Sequence, residues 1–226
     1  MGESGKKRPC RRREIGGFSL VELLIVVGIL ALLVTMLLPS LRRAKLLAKV
    51  AKAKAELANI SAALEIYHAS NRAYPPARTY CDYGDPAKAP HWAELPRELA
   101  EAGYLPSPPG GSLMSVAVED PFNPGRTYKY LAPGPGKHND AGTWIALWVP
   151  DDFPRGDGSS GKAYWKGKDS PVKYVVWSVG TFGDIGYWQA LSQRQPLNTS
   201  QWLTTISAPG LIVRAGLGAG QCVSSP

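Results

Sequence analysis

The strongest pattern in the chain is an apolar run near its N-terminus. Residues 18–38 are almost wholly apolar, and a helix of this length covers roughly 31 Å, which matches the hydrocarbon core of a bilayer. The run is too long for the apolar region of an ordinary secretory signal, and no clear small-residue cleavage site follows it. The pattern therefore predicts a membrane span at 18–38. A plain signal anchor would have the same hydropathy, so hydropathy alone does not distinguish the two.

Beyond Pro39 the apolar positions become periodic. The segment is rich in Ala, Leu, Lys and Glu, which favour helices. Apolar residues recur at steps of three and four and so form one stripe, made of Val50, Ala53, Leu57, Ile60, Leu64 and Tyr67. The span and this segment are predicted to form one helix over 18–72, ended by Tyr74-Pro75-Pro76. The stripe could pack on a sheet of the same chain or on neighbouring subunits.

The remaining residues, 73–226, have the pattern of a loop-rich head. They contain 18 of the 20 prolines, 19 of the 24 glycines and all seven tryptophans. β-Branched and aromatic runs predict strands at 143–149 and 172–178, with a shorter strand at 128–131. A short helix is predicted at 92–102 and an exposed loop at 151–169, whereas the tail 187–226 has no clear period. The fold class is predicted to be α+β, with the long helix packed on a small antiparallel sheet.

Charge refines this picture because it is local. The net charge is +8, but residues 1–17 contribute +4, residues 41–54 contain six basic and no acidic side chains, and residues 55–226 sum to −1. The basicity therefore flanks the span, and no nucleic-acid binding is predicted. Clustered Lys and Arg before a span are retained in the cytoplasm. We expect a single-pass protein of the bacterial inner membrane, with a cytoplasmic N-terminus and a periplasmic or extracellular head.

One acidic residue interrupts the apolar run. Glu22 places a carboxylate where ionisable groups are costly and usually functional. A basic leader ending in Gly17, then Phe18, then Glu22 and an apolar run closing at Pro39 resembles the N-terminus of type IV pilins and pseudopilins. The resemblance implies cleavage of a leader, 1–17, after Gly17 by a prepilin peptidase and N-methylation of Phe18. It also implies assembly into a filament of like subunits on an inner-membrane platform, with Glu22 meeting the amine of a neighbouring subunit.

The head extends the resemblance through the order of its short motifs. It is similar to the major pseudopilin of type II secretion systems in five segments: Tyr74-Pro75, Gly103-Tyr104-Leu105-Pro106, Asp120-Pro121-Phe122-Asn123-Pro124, Tyr128-Lys129-Tyr130 and Ser178-Val179-Gly180. The function that this implies is a structural subunit of a pseudopilus that drives protein export. The alternatives are a type IV pilus subunit for adhesion, motility or DNA uptake, and a monomeric membrane-anchored surface binding protein. No counterpart is seen for 187–226.

Catalytic chemistry is not indicated. His68, His91 and His138 lack the spacing of metal ligands, and no nucleophile elbow or phosphate-binding loop follows a strand. We therefore predict that the protein is not an enzyme and needs no cofactor.

A calcium ion is the one cofactor left open. In the pseudopilin family the loop that corresponds to 180–186 often carries calcium-binding aspartates, but Phe182 stands at the usual aspartate position here. Asp184 is the remaining candidate ligand, with Ser178 or Asn198 as possible helpers, because calcium needs six to eight oxygens. The alternative is an ordinary turn.

Two cysteines belong to the head. Cleavage would remove Cys10 with the leader, which leaves Cys81 and Cys222. An exported head permits a disulfide between them, and closing so long a loop contributes about 4 to 5 kcal/mol in the chain-entropy model. The alternative is two buried free thiols, since distance in sequence does not give distance in space.

Overall fold

The computed structural model describes residues 19–79, 93–110, 114–138, 141–155, 160–182, 196–206 and 208–226. Backbone contacts divide the chain into two units, Met1–Ala44 and Lys45–Pro226. One helix, α1 (Leu20–Asn71), has residues in both units and continues as a helix through Gly28 and Pro39. The predicted long helix is thus confirmed over its described part.

The C-terminal end of α1 follows from local sequence. Arg72 has a left-handed backbone with φ of 56°, and its N–H donates to the carbonyl of His68 at 2.8 Å. Tyr74-Pro75-Pro76 then keeps the chain extended, because the residue before a proline avoids the helical conformation.

The predicted stripe of α1 is the part of the helix that forms the head core. Leu57, Ile60 and Leu64 are almost fully buried, Val50 and Ala53 are buried beside them, and Tyr67 packs at the edge of the core. The stripe therefore packs on the protein's own sheet from Val50 onward, which was the simpler of the two interpretations.

In its described part, the head contains a short helix, α2 (Glu98–Glu101), and nine strands in three sheets. The strands are β1 (Arg78–Thr79), β2 (Lys129–Leu131), β3 (Gly134–His138), β4 (Ala141–Ile145), β5 (Leu147–Pro150), β6 (Gly161–Tyr164), β7 (Tyr174–Ser178), β8 (Ile212–Gly218) and β9 (Gln221–Ser224). The sheet orders are β2-β7-β8-β9, β1-β3-β4 and β5-β6. All pairs are antiparallel except β1 with β3. The α+β prediction is confirmed.

The four-stranded sheet is the one that covers α1. Three side chains from it reach the helix: the hydroxyl of Tyr128, just before β2, donates to Glu56 Oε2 at 2.5 Å, and Arg214 Nε donates to Ser61 Oγ at 3.1 Å. The hydroxyl of Tyr174 in β7 donates to the carbonyl of Ser61 at 3.5 Å. Apolar burial and these polar contacts together fix the sheet on the helix.

Several predicted elements differ from the structure. The single strand predicted over 143–149 is two strands, because β4 pairs with β3 and β5 pairs with β6, with Ala146 between them. Strand propensity does not reveal a change of partner. The predicted loop 151–169 contains β6, and the helix predicted over 92–102 is reduced to α2, which Gly103 follows with φ of 75°.

The tail is the largest difference between expectation and structure. Residues that gave no clear pattern form β8 and β9, two of the four strands of the central sheet. Ile212 and Val213 are buried in the core, and β8 pairs along the whole length of β7. The C-terminal segment is therefore an integral part of the head.

Candidate functional site

The first half of α1 has a surface suited to lipid. It is long and apolar enough to cross a membrane, with a mean hydropathy of 2.9 in its most apolar stretch, none of which is buried. The second half of the same helix is a core element of the head. The two halves therefore have different partners, and the first half needs a bilayer or other subunits to cover it.

Glu22 is placed at the start of this segment by a reciprocal cap. The backbone N–H of Ser19 donates to Glu22 Oε2 at 2.9 Å, and the backbone N–H of Glu22 donates to Ser19 Oγ at 3.2 Å. This is the capping box Ser-x-x-Glu, which satisfies two N–H groups that the first turn of a helix leaves without partners. Both side chains are exposed, so the carboxylate is held at the helix start and is open to a second partner. Gly17 and Phe18, the predicted processing residues, lie outside the described residues.

Two of the head motifs meet at a buried carboxylate. Asp120 is fully buried, and its Oδ1 accepts from the N–H of Phe122 at 2.9 Å and from Ser178 Oγ at 2.7 Å. Its Oδ2 accepts from the N–H of Val179 at 3.1 Å. Burial raises the pKa of Asp120, while these three hydrogen bonds act in the opposite direction by favouring the carboxylate. The Asp-Pro motif therefore fixes the turn at 120–124 to the end of β7.

A third motif, Tyr128-Lys129-Tyr130, is also structural. The hydroxyl of Tyr130 donates to the carbonyl of Pro75 at 2.8 Å, which connects β2 to the segment after α1. Lys129 between the two tyrosines is completely buried. Desolvation lowers the pKa of Lys129 to about 8, although the nearby carboxylates of Glu94 and Asp120 act to raise it. Sequence reasoning did not identify this buried charge.

An ion pair anchors α2. Arg78 donates two hydrogen bonds of 2.7 Å to the carboxylate of Glu98, the bidentate geometry in which this pair is strongest. Burial acts to raise the pKa of Glu98, but the hydrogen bonds and charge of Arg78, a backbone hydrogen bond and the charge of Arg97 together outweigh it, so the pKa is lowered.

The described residues do not test the calcium hypothesis. Asp184 lies outside them, and the two proposed helpers have other partners. Ser178 Oγ donates to Asp120, and Asn198 Oδ1 accepts from the N–H of Ser200 at 3.0 Å and from its hydroxyl at 2.7 Å. No group of three metal-ligating side chains exists among the residues that the structure describes. Calcium binding through Asp184 thus remains an untested expectation.

The cysteine prediction is also untested. Cys222 in β9 is partly buried, and its Sγ lies 3.8 Å from the hydroxyl of Tyr174. Cys81 lies outside the described part of the chain, so its pairing with Cys222 stays a prediction.

The histidines have separate surroundings. His68 stacks on Tyr74 with ring centroids 4.4 Å apart, and His138 Nδ1 lies 3.0 Å from Thr79 Oγ1. His91 is outside the described residues. The two described histidines therefore lie in unrelated surroundings.

These features define a class of protein, a membrane-anchored subunit whose apolar half-helix carries an acidic residue in its first turn. The class agrees with a family model described as the prokaryotic N-terminal methylation motif, which matches residues 12–38.

Comparison with curated proteins gives the particular family. The chain is 34% identical over 124 residues to the type II secretion system core protein G of Pseudomonas aeruginosa. The aligned region covers 55% of this chain and 78% of that protein. It is 31% identical over 153 residues to the protein of the same name from Vibrio cholerae, with 67% and 90% covered. The protein of this name from Aeromonas hydrophila is 29% identical over 156 residues, with 63% and 99% covered. No solved structure matches the chain significantly.

The chain belongs to the family of type II secretion system core protein G, the major pseudopilin. The resemblance inferred from Gly17, Phe18, Glu22 and the head motifs is therefore confirmed.

Proposed function

We propose that this chain is a structural subunit of a type II secretion pseudopilus, which assembles with copies of itself into a filament that drives protein export. The observation that carries the proposal is the exposed apolar half of α1, with Glu22 at its start, in a member of this family. Such a segment can be covered by lipid in the membrane and by like helices in a filament. The role is mechanical, and catalysis is not part of it.

The assembly route follows from the N-terminal motif. A prepilin peptidase would cleave after Gly17 and leave Phe18 as the methylated N-terminus, and an inner-membrane platform would receive the subunit. The basic leader supports a cytoplasmic N-terminus and an exported head. Mass spectrometry of membrane-extracted protein tests the cleavage: Phe18 should be the first residue, and the terminus should revert to the uncleaved leader in a strain without the peptidase. An intact leader despite active peptidase would contradict the proposal.

The filament itself is tested by shearing. The chain is produced with the secretion machinery of a bacterium that encodes it, the cells are sheared, and the pellet after ultracentrifugation is probed for the subunit. Polymer should appear only when the peptidase is present. A processed protein that stays monomeric under these conditions would overturn the filament proposal and favour the anchored binding protein.

The type IV pilus alternative is less well supported, because the curated relatives are named for type II secretion. Genes for a secretion ATPase and an outer-membrane secretin beside this one would support the secretion role. A disulfide between Cys81 and Cys222 is proposed as an additional constraint on the head, and a non-reducing peptide map with both thiols free would exclude it.

A further inference from the structure

A cleft of about 540 Å³ opens on the head beside the end of α1. We call it the basic groove and define it by Arg72, Tyr74, Trp144, Lys166, Lys168 and Lys173. None of the filament features discussed above uses these residues. All of them belong to the head unit, so the groove exists within one unit.

Charge is the first feature that indicates a ligand. Four basic side chains line the groove, and no acidic side chain is among its described lining residues. The formal net charge of segment 55–226 is −1, so this cluster of basic side chains differs from the rest of the head. Arg72, Lys166 and Lys168 are exposed, and none of the three forms an ion pair with a described residue. Their charges are available to an acidic partner.

The backbone turn beside the groove is held by the side chain of Lys173. Lys173 Nζ donates to the carbonyl of Gly167 at 2.9 Å and to that of Ser170 at 2.6 Å. These two bonds hold the turn that carries Lys166 and Lys168 against the start of β7. A ligand would therefore find the backbone of this turn already ordered, which lowers the ordering cost of binding.

Aromatic and proline side chains form the apolar walls. Tyr74 is fixed by stacking on His68, by a ring contact of 5.0 Å with Tyr174, and by a hydrogen bond of 3.1 Å from its hydroxyl to Glu65. Trp144 forms the other wall with 51% of its surface exposed, and Pro75, Pro133 and Pro135 also line the groove. A half-exposed tryptophan is typical of protein-binding surfaces, where large aromatic anchors dominate the binding energy.

The strand that carries Trp144 favours a polypeptide as the ligand. β4 lies at the edge of the order β1-β3-β4, its residues 141–144 are exposed, and no described strand pairs with its outer side. An extended segment can hydrogen-bond to such an edge and add a strand to the sheet. A polysaccharide would use the charges and rings but not the strand edge.

We propose that the basic groove and the edge of β4 together bind an extended, acidic segment of another polypeptide. Its main chain would pair with β4, its carboxylates would lie near Arg72, Lys166 and Lys168, and its apolar side chains would contact Tyr74 and Trp144. The proposal does not depend on filament formation.

The test uses the full chain in detergent and a fluorescein-labelled peptide in which glutamate alternates with valine, so that one face of the extended peptide is acidic. Anisotropy is measured for the wild type, for K166S/K168S and for W144A. The matched control is K162S/R155S, which removes two exposed basic residues outside the groove. Circular dichroism checks that each variant is folded.

The expected result is saturable binding that K166S/K168S weakens by about fivefold or more, since each exposed ion pair contributes modestly. W144A should also weaken binding, the control pair should not, and a lysine-valine peptide should not bind. Two outcomes overturn the proposal. One is no binding of the acidic peptide, whether or not heparin or single-stranded DNA binds, and the other is weakening by the control pair equal to that by K166S/K168S. W144A removes a large side chain and could unfold the head. If circular dichroism shows that W144A is unfolded, the result for K166S/K168S decides the question.

Discussion

At the scale of single residues, Lys129 makes head stability depend on pH above neutrality. Its pKa is lowered to about 8 in the folded protein, against a value near 10.5 when unfolded. Between these values the unfolded state binds the extra proton, so the free energy of unfolding rises with pH. Below pH 8 the buried ammonium of Lys129 lowers the free energy of unfolding. Between pH 8 and 10 the loss of its charge should raise the free energy of unfolding by on the order of 2 kcal/mol.

Substitution of Lys129 tests this dependence. In Lys129→Met the rise in unfolding free energy between pH 8 and 10 should disappear, because no buried ammonium remains to deprotonate. Urea denaturation at a series of pH values measures it, with Lys137→Met as the control at an exposed lysine of β3. A rise that persists unchanged in Lys129→Met would show that another group causes it.

Gly180 occupies a position that no other residue can take without strain. It has φ of 60°, and an added Cβ would lie 1.9 Å from the carbonyl oxygen of Gly210, a backbone atom that cannot rotate away. We expect Gly180→Ala to lower the free energy of unfolding by at least about 2 kcal/mol. Gly103→Ala is the matched control, because Gly103 has φ of 75° with nothing within 4 Å of the added atom, and should cost about 1 kcal/mol. Equal losses at the two sites would contradict this steric explanation.

The role of a residue could be predicted from the sequence where it depends on residues close by in the chain. Ser19 and Glu22 form the Ser-x-x-Glu pattern of a capping box, which is a local signal in the sequence that does not depend on the family resemblance. The burial of Lys129 has no such signal. A lysine between two tyrosines fits the alternating pattern of a half-buried strand, in which the lysine would be expected on the exposed face. Its burial arises when residues far apart in sequence cover both sides of β2.

At the scale of elements, the C-terminal half of α1 should contribute to stability as a core element. Leu64 is fully buried, so Leu64→Ala leaves a cavity and should cost 2 to about 5 kcal/mol. Ile66 lies two positions along the same helix and is 52% exposed, so Ile66→Ala should change stability by less than about 0.5 kcal/mol. Denaturation of the full chain in detergent compares the two. Similar losses would mean that the predicted stripe does not define the buried face.

Elements were predictable in proportion to their regularity. The apolar period of the helix is repeated by many residues, and the predicted stripe is confirmed. The predicted C-terminal end of the helix is confirmed as well. β3 has the sequence Gly-Pro-Gly-Lys-His, which carries no strand signal, and it exists because it pairs with β4. Pro135 is tolerated there because β1 pairs only with Lys137 and His138, so β4 is the one described strand that pairs with β3 at the proline. Pairing between distant segments is the information that local patterns lack.

At the scale of the whole molecule, Glu22 has two explanations that must be separated. It caps its own helix through Ser19, and it is proposed to meet the amine of Phe18 in a neighbouring subunit during assembly. The first role needs a hydrogen-bond acceptor and the second needs a negative charge. A carboxylate in a span costs on the order of 2.5 to 3.5 kcal/mol on insertion scales, and a cation beside it offsets that cost.

Three variants distinguish these roles. Glu22→Gln keeps an acceptor that can complete the capping box but removes the charge, Glu22→Ala removes both, and Ser19→Ala weakens the cap while it leaves the charge. If charge pairing drives assembly, both Glu22 variants should insert and be cleaved normally yet form little pelletable polymer, whereas Ser19→Ala should polymerise close to wild-type level. If Glu22 is only a cap, Glu22→Gln should polymerise normally and Ser19→Ala should share the defect of Glu22→Ala. Measuring membrane-bound monomer beside sheared polymer separates an assembly defect from failed insertion, and wild-type polymer in Glu22→Gln would overturn the charge-pairing role.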